Sequence, residues 1–367
     1  MPHHDREALF RRPVRPFEVN PKDSASELLR KLRETAFQGR NLGHAAEIWD
    51  AMLAGRTTII LSLSGALIPA GMRKLLVYLL QHRYVDCIVS TGAQLFHDLN
   101  ESLGHAHYQA QAEMDDAALR AERIVRMYDV LADDVSQDAT ERFIKEFAEG
   151  LEGRAYTTRE FLYLLGRVAG GEVKEAGVVT AAAKADVPLF CPAFGDSILG
   201  TAVAWARYEG KSQLQIDVVR DLLETSTLVE QTESQGGRTG LIILGGGTSR
   251  NYAQQSATLG YMAGEGLWYK THLYAIQITT DQPHWGGLSG ATFDESKSWG
   301  KFDLEAAQTV HVYCEATIAL PLLVTGVAER HQGTIAGRSR PVFRMGNRKS
   351  TRLNSSHIQK SRMPSSA

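Results

Sequence analysis

The sequence has few of the features that mark a secreted, membrane-bound or nucleic-acid-binding protein. Its 367 residues include only three cysteines, widely separated in apolar stretches, so neither a disulfide framework nor a cysteine metal site is indicated. No apolar run approaches the ~20 residues that span a bilayer, and the N-terminus lacks the apolar core of a signal peptide. The net charge of −2 gives no bias towards nucleic acid. We therefore expect a cytoplasmic protein that binds neither membranes nor nucleic acid.

Motifs for metals and for dinucleotides are also missing. The 12 histidines are scattered, and the pair His105 and His107 has no companion ligands at metal spacing, so we expect no metal site. The triple glycine Gly245-Gly246-Gly247 does not have the G-x-G-x-x-G spacing of the dinucleotide fingerprint. A lone triple glycine after a strand is more often a tight turn than a nucleotide site.

Short apolar, β-rich runs alternate with segments of helical periodicity, which is typical of a parallel sheet with crossover helices. A hydrophobic content of 43% allows a large core. The predicted fold is therefore α/β, with one doubly wound, mostly parallel sheet. The predicted strands are Thr57 to Leu63, Cys87 to Ser90, Val187 to Phe190, Leu241 to Leu244, Leu273 to Ile278 and Val310 to Cys314, and the helices between them include Met72 to Gln81, Val218 to Leu223 and Thr317 to Glu329.

The alternation divides the chain into three parts. Residues 1–22 are expected to form a flexible arm, residues 23–345 a single catalytic domain, and residues 346–367 a non-native tail, because this last segment is basic, Ser-rich and without apolar periodicity. Charged amphipathic helices indicate a helical insertion at about 111–184. Its predicted helices are Asp115 to Leu131, Glu141 to Leu151 and one that opens at Thr157 with Glu160 at capping-box spacing, and a further helix, Asp23 to Arg33, precedes the sheet.

Small residues follow the predicted strands. Ligands of doubly wound sheets collect at the carboxyl ends of the strands, where small residues let the backbone approach a phosphate and an aspartate can bind a ribose hydroxyl. Several such loops together favour a dinucleotide. They are Ser62 to Ala66, Ser90 to Ala93, Phe194 to Ser197, Gly245 to Ser249 and a longer loop that begins with Thr279-Thr280-Asp281.

The longer loop ends in a lysine that stands beside an aromatic residue and acids. Lys301 follows Trp299 after one glycine, and Asp294 and Glu295 lie a few residues upstream. Amine chemistry through a Schiff base needs a nucleophilic lysine, an aromatic wall and anionic anchors, all of which this run contains. The alternatives are a solvated surface lysine, a tryptophan of the core and an exposed carboxylate without a ligand.

Several segments together resemble deoxyhypusine synthase and its bacterial relatives, over roughly residues 25–330. The ungapped stretch from Tyr274 to Lys301 is the most specific part. The other segments that carry the resemblance are Pro69 to Arg73 and on to His82, Val89 to Gly92, Pro188 to Ala193, Ile243 to Gly247, and Val312-Tyr313 through Leu320 to Leu323.

The resemblance implies a Rossmann-like fold and a homotetramer with active sites at a dimer interface. It also implies an NAD-dependent transfer of the 4-aminobutyl group of spermidine, through an imine on an enzyme lysine, to an acceptor amine. On the family's motif Lys301 is that lysine, Trp299 packs along the polyamine and Glu295 binds an amino group. The residues implied to bind NAD are Gly65, Ala66, Leu67, Ile68, Pro69, Thr91, Gly92, Ala93, Asp196, Thr280, Asp281, Glu315 and Ala316.

The polyamine end departs from the eukaryotic pattern. Neutral residues stand at Leu288, Thr201 and Phe96, where that pattern has acids, His97 replaces another acid, and Asn251 stands at the position of the catalytic histidine. The substrate-binding set that the resemblance implies here is Glu295, Trp299, Gly246, Asn251, Gly286, Gly287, Leu288, Thr201 and His97. Loss of acids should weaken binding of spermidine in the same pose, since each charge-assisted contact contributes roughly 1.5–3 kcal/mol.

The acceptor amine stays open at this stage. Bacterial members with such patterns resemble homospermidine synthases, for which the acceptor is free putrescine, whereas a deoxyhypusine synthase uses a protein lysine. Two other functions are compatible with the residues: a non-catalytic NAD-binding relative, and an NAD-dependent amine dehydrogenase that releases its imine to water.

Overall fold

The computed structural model describes residues 10–258, 271–338 and 341–345. Six parallel strands form the main sheet, in the order β7-β2-β1-β9-β10-β11. This confirms the predicted doubly wound α/β fold and its six strands. The strands of the described chain are β1 Thr57–Leu63, β2 Cys87–Ser90, β3 His107–Gln109, β4 Ile124–Met127, β5 Val130–Asp133, β6 Ala155–Tyr156, β7 Leu189–Phe190, β8 Gln215–Ile216, β9 Arg238–Leu244, β10 Tyr274–Thr279 and β11 Gln308–Tyr313.

The sheet changes winding direction between β1 and β9. The chain runs outwards from β1 through β2 to β7 on one side, and from β9 through β10 to β11 on the other. β1 and β9 pair in parallel along their full lengths, from Thr57 opposite Arg238 to Leu63 opposite Leu244. A ligand crevice is expected outside the carboxyl ends of the strands at such a switch point.

Helices cover both faces of the sheet, so its central strands are buried on both sides. Ile59 and Leu61 of β1 face one core cluster, with Trp49 and Met52, while Ile60 faces a second, smaller cluster that includes Phe293. The helices are α1 Ala25–Arg33, α2 Phe37–Ala54, α3 Arg73–Gln81, α4 Gly92–Ser102, α5 Asp116–Ala121, α6 Asp134–Glu149, α7 Thr158–Ala169, α8 Val178–Lys184, α9 Ile198–Tyr208, α10 Val218–Ser234, α11 Gly247–Gln255, α12 Phe293–Ser298 and α13 Ala316–His331.

The insertion differs from the prediction in its first third. The predicted helix Asp115 to Leu131 is wrong: α5 ends at Ala121, and β4 and β5 follow as a hairpin that joins β3 in a three-stranded antiparallel sheet. Ile124, Val125 and Val130 are β-branched, and these residues favour strands over helices. The helix that opens at Thr157 is confirmed, because the Thr157 hydroxyl accepts the Glu160 N–H at 3.1 Å.

The ends of the chain are described only in part. Residues 10–22 contain no helix or strand and lie along α1, where Lys31 Nζ donates to the Glu18 carbonyl at 2.9 Å and Arg15 N to the Glu34 carbonyl at 3.0 Å. The flexibility expected of residues 1–22 stays a prediction. The tail expected at 346–367 lies outside the described residues.

Candidate active site

All cofactor residues implied by the resemblance lie at one edge of the sheet. They follow the carboxyl ends of β1, β2, β7, β10 and β11, and the triple glycine follows β9. The loops are linked to one another: Gly245 N donates to the Ile278 carbonyl at 2.9 Å, and Cys314 N to the Thr279 carbonyl at 3.1 Å. In sheet order the edge presents Asp196, then Thr91 to Ala93, Gly65 to Pro69, Gly246, Thr280 with Asp281, and Glu315 with Ala316.

Ser64 joins the two loops at the switch point. Its hydroxyl donates to the Leu244 carbonyl at 3.0 Å and accepts the Gly246 N–H at 2.7 Å. Gly246 also approaches the next loop closely, since a Cβ there would lie 2.5 Å from Ser289 Cα. The triple glycine is therefore a close-packed junction as well as a turn.

A second close approach brings α4 against the loop that precedes α9. A Cβ at Gly92 would lie 2.2 Å from Ser197 Oγ. The side chain of Thr91, the residue that precedes α4, makes no capping hydrogen bond, so the N–H groups of the first turn do not receive the acceptor that an N-cap side chain supplies. Such a helix start favours an anion.

The first loop contributes backbone rather than side chains. Leu67 and Ile68 are buried in the main core, and the Ile68 N–H is bound by Gln94 Oε1 at 3.1 Å. Gly65 has φ +81° and nothing near its Cβ position. Only Gly65 and Ala66, at the start of this loop, are exposed, although the whole run from Gly65 to Pro69 matches the family's cofactor segment.

Two implied carboxylates act as helix caps. Glu315 precedes α13 and accepts the Thr317 N–H at 2.8 Å. Glu295 accepts the Thr292 N–H at 2.6 Å while the Thr292 hydroxyl accepts the Glu295 N–H at 3.1 Å, which is a capping box. These hydrogen bonds to Thr292 lower the pKa of Glu295. Both carboxylates are exposed, so capping fixes their position without removing them from solvent.

Lys301 is buried, with 9% of its surface exposed. Its Nζ donates to Asn251 Oδ1 at 2.7 Å, and its backbone is held by His272 N at 3.0 Å and by Ser296 O at 3.1 Å. Burial, and then the charge of Arg250, lower the pKa of Lys301. Trp299 is not the cause of this burial, because its own side chain is 75% exposed.

Arg250 is the main residue that the sequence reasoning missed. Its buried guanidinium donates to Gln277 Oε1 at 3.1 Å, to the Leu288 carbonyl at 2.9 Å and to the Ala291 carbonyl at 2.7 Å. Burial lowers its pKa to about 10. In the described chain no carboxylate forms an ion pair with it. Its charge acts on both Glu295 and Lys301, and it lowers the pKa of each.

Gln277 fixes the same loop from the strand below. Its amide donates to the carbonyls of Gly245 and Ser289, both at 2.8 Å. A polar residue in the middle of the apolar run Tyr274–Thr279 was the sequence signal for this role. Arg250 and Gln277 together hold the turn after Gly286 and Gly287 against the triple glycine. Gly287 lies close to Asp281, whose Oδ2 would be 3.3 Å from a Cβ at that glycine.

The remaining implied substrate residues form a separate region. His97 Nδ1 is 3.0 Å from His107 Nε2, and Thr201 on α9 donates to Glu141 Oε1 on α6 at 2.7 Å. Phe96 is buried. No hydrogen bond, ion pair or ring contact between described residues joins this region to Lys301. The structure of one chain thus brings Lys301 to Asn251, and among the described residues it shows no such contact between Lys301 and His97 or Thr201.

Some general features bear on the choice of function. All three cysteines are free thiols, two of them buried. Across residues 10–258, 271–338 and 341–345 there is no group of three or more histidine, cysteine or acidic side chains placed to hold a metal ion. None of the described helices combines the length and apolar character needed to cross a membrane.

Fold and site define a doubly wound α/β protein with a buried lysine that donates to Asn251 on α11, the helix that follows the triple glycine. Residues 27–327 match the family model named deoxyhypusine synthase. The chain belongs to the deoxyhypusine synthase family.

Named relatives agree with this membership. The chain is 40% identical to "Probable deoxyhypusine synthase 2" of Methanosarcina mazei, over 93% of this chain and 96% of that protein. It is 34% identical to "Deoxyhypusine synthase-like protein" of Chlorobaculum tepidum, over 82% and 85%. The crystal structure of a "putative deoxyhypusine synthase" from Entamoeba histolytica superposes with a TM-score of 0.56, at 19% identity, over 89% of this chain and 99% of that one. This last likeness supports the fold alone.

Proposed function

We propose that the protein is an NAD-dependent transferase that moves the 4-aminobutyl group of spermidine, through an imine on Lys301, to an acceptor amine. The observation that carries the proposal is the state of Lys301. It is buried, it donates to a neutral amide, and none of the described carboxylates lies within ion-pair distance of it. A lysine in these surroundings loses its proton more readily than a solvated one, which a nucleophilic amine requires.

The surrounding residues suit the NAD site that the family implies. The start of α4, which has no N-cap side-chain bond, offers N–H groups to a pyrophosphate, and Gly92 lets the start of α9 approach α4 closely. The carboxylates of Asp281 and Glu315 follow strand ends, where ribose hydroxyls bind in such folds. Bound there, NAD would supply the hydride acceptor that oxidation of the donor amine needs and, once reduced, the hydride donor for the final imine.

Lys301 carries the transfer itself. Its neutral amine attacks the carbon of the oxidised donor, 1,3-diaminopropane leaves, and the aminobutyl group stays on Nζ as an imine. The acceptor amine then attacks the same carbon and releases Lys301. Asn251 Oδ1 lies 2.7 Å from Nζ and orients the amine by accepting a hydrogen bond from one of its N–H groups.

Exposed apolar side chains near the site support the homotetramer that the family implies. Trp285 and Trp299 are largely exposed and Leu288 is partly so, although they belong to the loops around Lys301. A neighbouring subunit that covers them could bring its own His97 and Thr201 to the site. The free cysteines suit a reducing compartment, which favours the cytoplasm.

Transfer assays distinguish the proposed reaction from its alternatives. Purified protein is incubated with NAD and spermidine labelled in the aminobutyl group, with putrescine in one arm and a protein bearing the hypusine-site lysine in the other. We expect label in one acceptor and, after borohydride reduction without acceptor, on Lys301. Label only in homospermidine identifies putrescine as the acceptor, and label only in protein identifies a lysine.

Other outcomes would contradict the proposal. Accumulation of NADH without labelled acceptor indicates an amine dehydrogenase that releases its imine to water. Binding of NAD with neither NADH nor labelled product indicates a non-catalytic relative. In both cases the absence of an adduct on Lys301 shows that this lysine is not the nucleophile.

A further inference from the structure

The described residues after α13 contact both faces of the sheet. The helix α13 lies on one face, with its buried side chains in the main core cluster. Arg338 then donates to the carbonyl of Thr57, at the amino end of β1, at 2.9 Å. Phe343 and Met345 pack against the second, smaller cluster, which lies on the opposite face. We call residues 341–345 the C-terminal strap.

Burial alternates along the strap. Val342 and Arg344 are exposed, whereas the other three side chains are partly buried. The amide of Gln231 on α10 donates to the Arg344 carbonyl at 3.0 Å and accepts the Arg344 N–H at 2.9 Å. One side chain thus satisfies both backbone groups, as a neighbouring strand would. This pairing fixes the strap so that Phe343 and Met345, on either side of Arg344, face the cluster.

The second cluster supports both partners of the hydrogen bond at Lys301. Phe302, which follows Lys301 in the chain, is fully buried in this cluster. Ala253 is also buried in it and Tyr252 packs against it, and both follow Asn251 in α11. The backbone segments that carry the lysine and its amide partner therefore rest on the same apolar cluster as the strap.

We infer that Phe343 and Met345 are positioning residues for Lys301, which hold this lysine and Asn251 in register through the second cluster. The inference deepens the proposed function and rests on it for the role of Lys301 as the nucleophile. Protein interiors are close-packed, so the loss of a side chain on one side of a cluster lets residues on the other side move. A shift of about 1 Å at a reacting group can lower a rate roughly 100-fold.

Loosening of the cluster should also change the proton affinity of Lys301. Burial is the first cause of its lowered pKa, and the positive charge of Arg250 is the second. Among the described residues, His272 also interacts with Lys301, but burial lowers the pKa of His272 to about 4, so its ring is neutral near pH 7. Water that reaches Lys301 would favour its charged form and raise its pKa. The neutral amine would then appear at higher pH, while the charge of Arg250 stays the same.

The reactivity of Lys301 towards acetic anhydride tests the strap in the full-length protein. Only a neutral amine reacts, so labelling of the peptide that contains Lys301, measured by mass spectrometry over a pH series, reports the pKa of this lysine without NAD or a polyamine. We expect Phe343→Ala to shift this labelling to higher pH. With NAD and spermidine, the borohydride-trapped adduct should form roughly tenfold more slowly at neutral pH, and the spermidine concentration that gives half the maximal rate should not change.

Matched variants separate the strap from a general loss of stability. Arg344→Ala truncates the exposed neighbour of Phe343, which is held through its backbone, so it should behave like the parent. Phe147→Ala removes a phenylalanine that is partly buried against the main cluster, so it should lower the unfolding midpoint without moving the labelling of Lys301. Gln231→Leu removes both hydrogen bonds from α10 to the strap, and it should shift the labelling in the same direction as Phe343→Ala, but less.

The outcomes distinguish the strap from the function on which it rests. Labelling and adduct formation at the parent level in folded Phe343→Ala and Gln231→Leu overturn the inference and leave aminobutyl transfer untouched. An equal shift in Phe147→Ala also overturns it, because any loss of packing would then have the same effect. If the parent forms no adduct, the proposed function fails, and the labelling still decides whether the strap acts on Lys301. If thermal unfolding shows that Phe343→Ala is not folded, Gln231→Leu decides alone.

Discussion

The two parts of the candidate site are built differently. Around Lys301, the nitrogen of the lysine donates to the Asn251 amide, and the buried guanidinium of Arg250 donates to amide and carbonyl oxygens. Around His97 and Thr201, the groups lie on helices at the surface and include the carboxylates Glu101 and Glu141. The first arrangement favours a deprotonated amine, and the second favours a polycation. On the proposed function, chemistry and substrate recognition would therefore occupy different regions of one chain.

Replacement of Lys301 should have the largest effect. Lys301→Ala removes the proposed nucleophile, so we expect transfer of label to fall by about 10³-fold or more while NAD binding is retained. The matched control is Lys297→Ala, which removes a lysine of α12 whose partner, Asp294, is 3.4 Å away on the surface. Trapping with borohydride followed by mass spectrometry measures the adduct. Transfer that survives in Lys301→Ala would show that another group is the nucleophile.

A methyl group at Gly246 should disturb the Lys301 region next most strongly. Its Cβ would lie 2.5 Å from Ser289 Cα, so the loop must move away from the triple glycine. We expect Gly246→Ala to lower transfer about 10- to 100-fold, corresponding to about 1–3 kcal/mol of misfit. Gly333→Ala is the control, because nothing lies within 4 Å of the Cβ position there. Transfer rates and unfolding midpoints of both variants measure the effect. If Gly246→Ala transfers label at the parent rate, the loop at Ser289 can move aside without cost to the reaction.

Arg250 tests whether charge controls the reactivity of Lys301. Burial is the larger cause of the lowered pKa of Lys301, and the positive charge of Arg250 is the second, so Arg250→Gln should raise this pKa and shift adduct formation to higher pH. At neutral pH the rate should then fall. Arg250→Lys loses the same fork of hydrogen bonds but keeps the charge. Its pH profile should stay close to that of the parent, and identical shifts in both variants would assign the effect to loop geometry.

The parallel sheet could be predicted from sequence because its pattern is local. Continuous apolar runs such as Thr57–Leu63 and Cys87–Ser90 are buried on both faces, and both were predicted with their observed bounds. β7 is shorter than predicted and β9 begins earlier, at Arg238. The hairpin of β4 and β5 was missed, since its residues are only partly buried and are mixed with charges that fit a helix equally well.

The candidate site also contains residues that could be predicted from sequence and residues that could not. Lys301, Asn251 and the glycine loops could be named from the family's motif, because each is a residue type at a fixed place in the chain. Arg250 could not, because its role depends on which distant atoms meet: it reaches carbonyls about 40 positions away in sequence, at Leu288 and Ala291. Hydrogen-bond partners of buried polar groups are a property of the fold rather than of a local pattern.

Replacement of Glu141 should have the smallest effect, and it tests specifically whether the region around Thr201 differs in role from the region around Lys301. It accepts the Thr201 hydroxyl at 2.7 Å, so it places a carboxylate beside a position where the eukaryotic pattern has an acid. If this region recognises a polycation, Glu141→Gln should weaken spermidine binding by up to about fivefold, the range of an exposed charge contact, and the loss should shrink as salt is raised. Glu146→Gln, on the same helix, is the control. Loss of adduct formation at saturating spermidine would contradict the separation, because it would give a residue of the recognition region a part in the chemistry of Lys301.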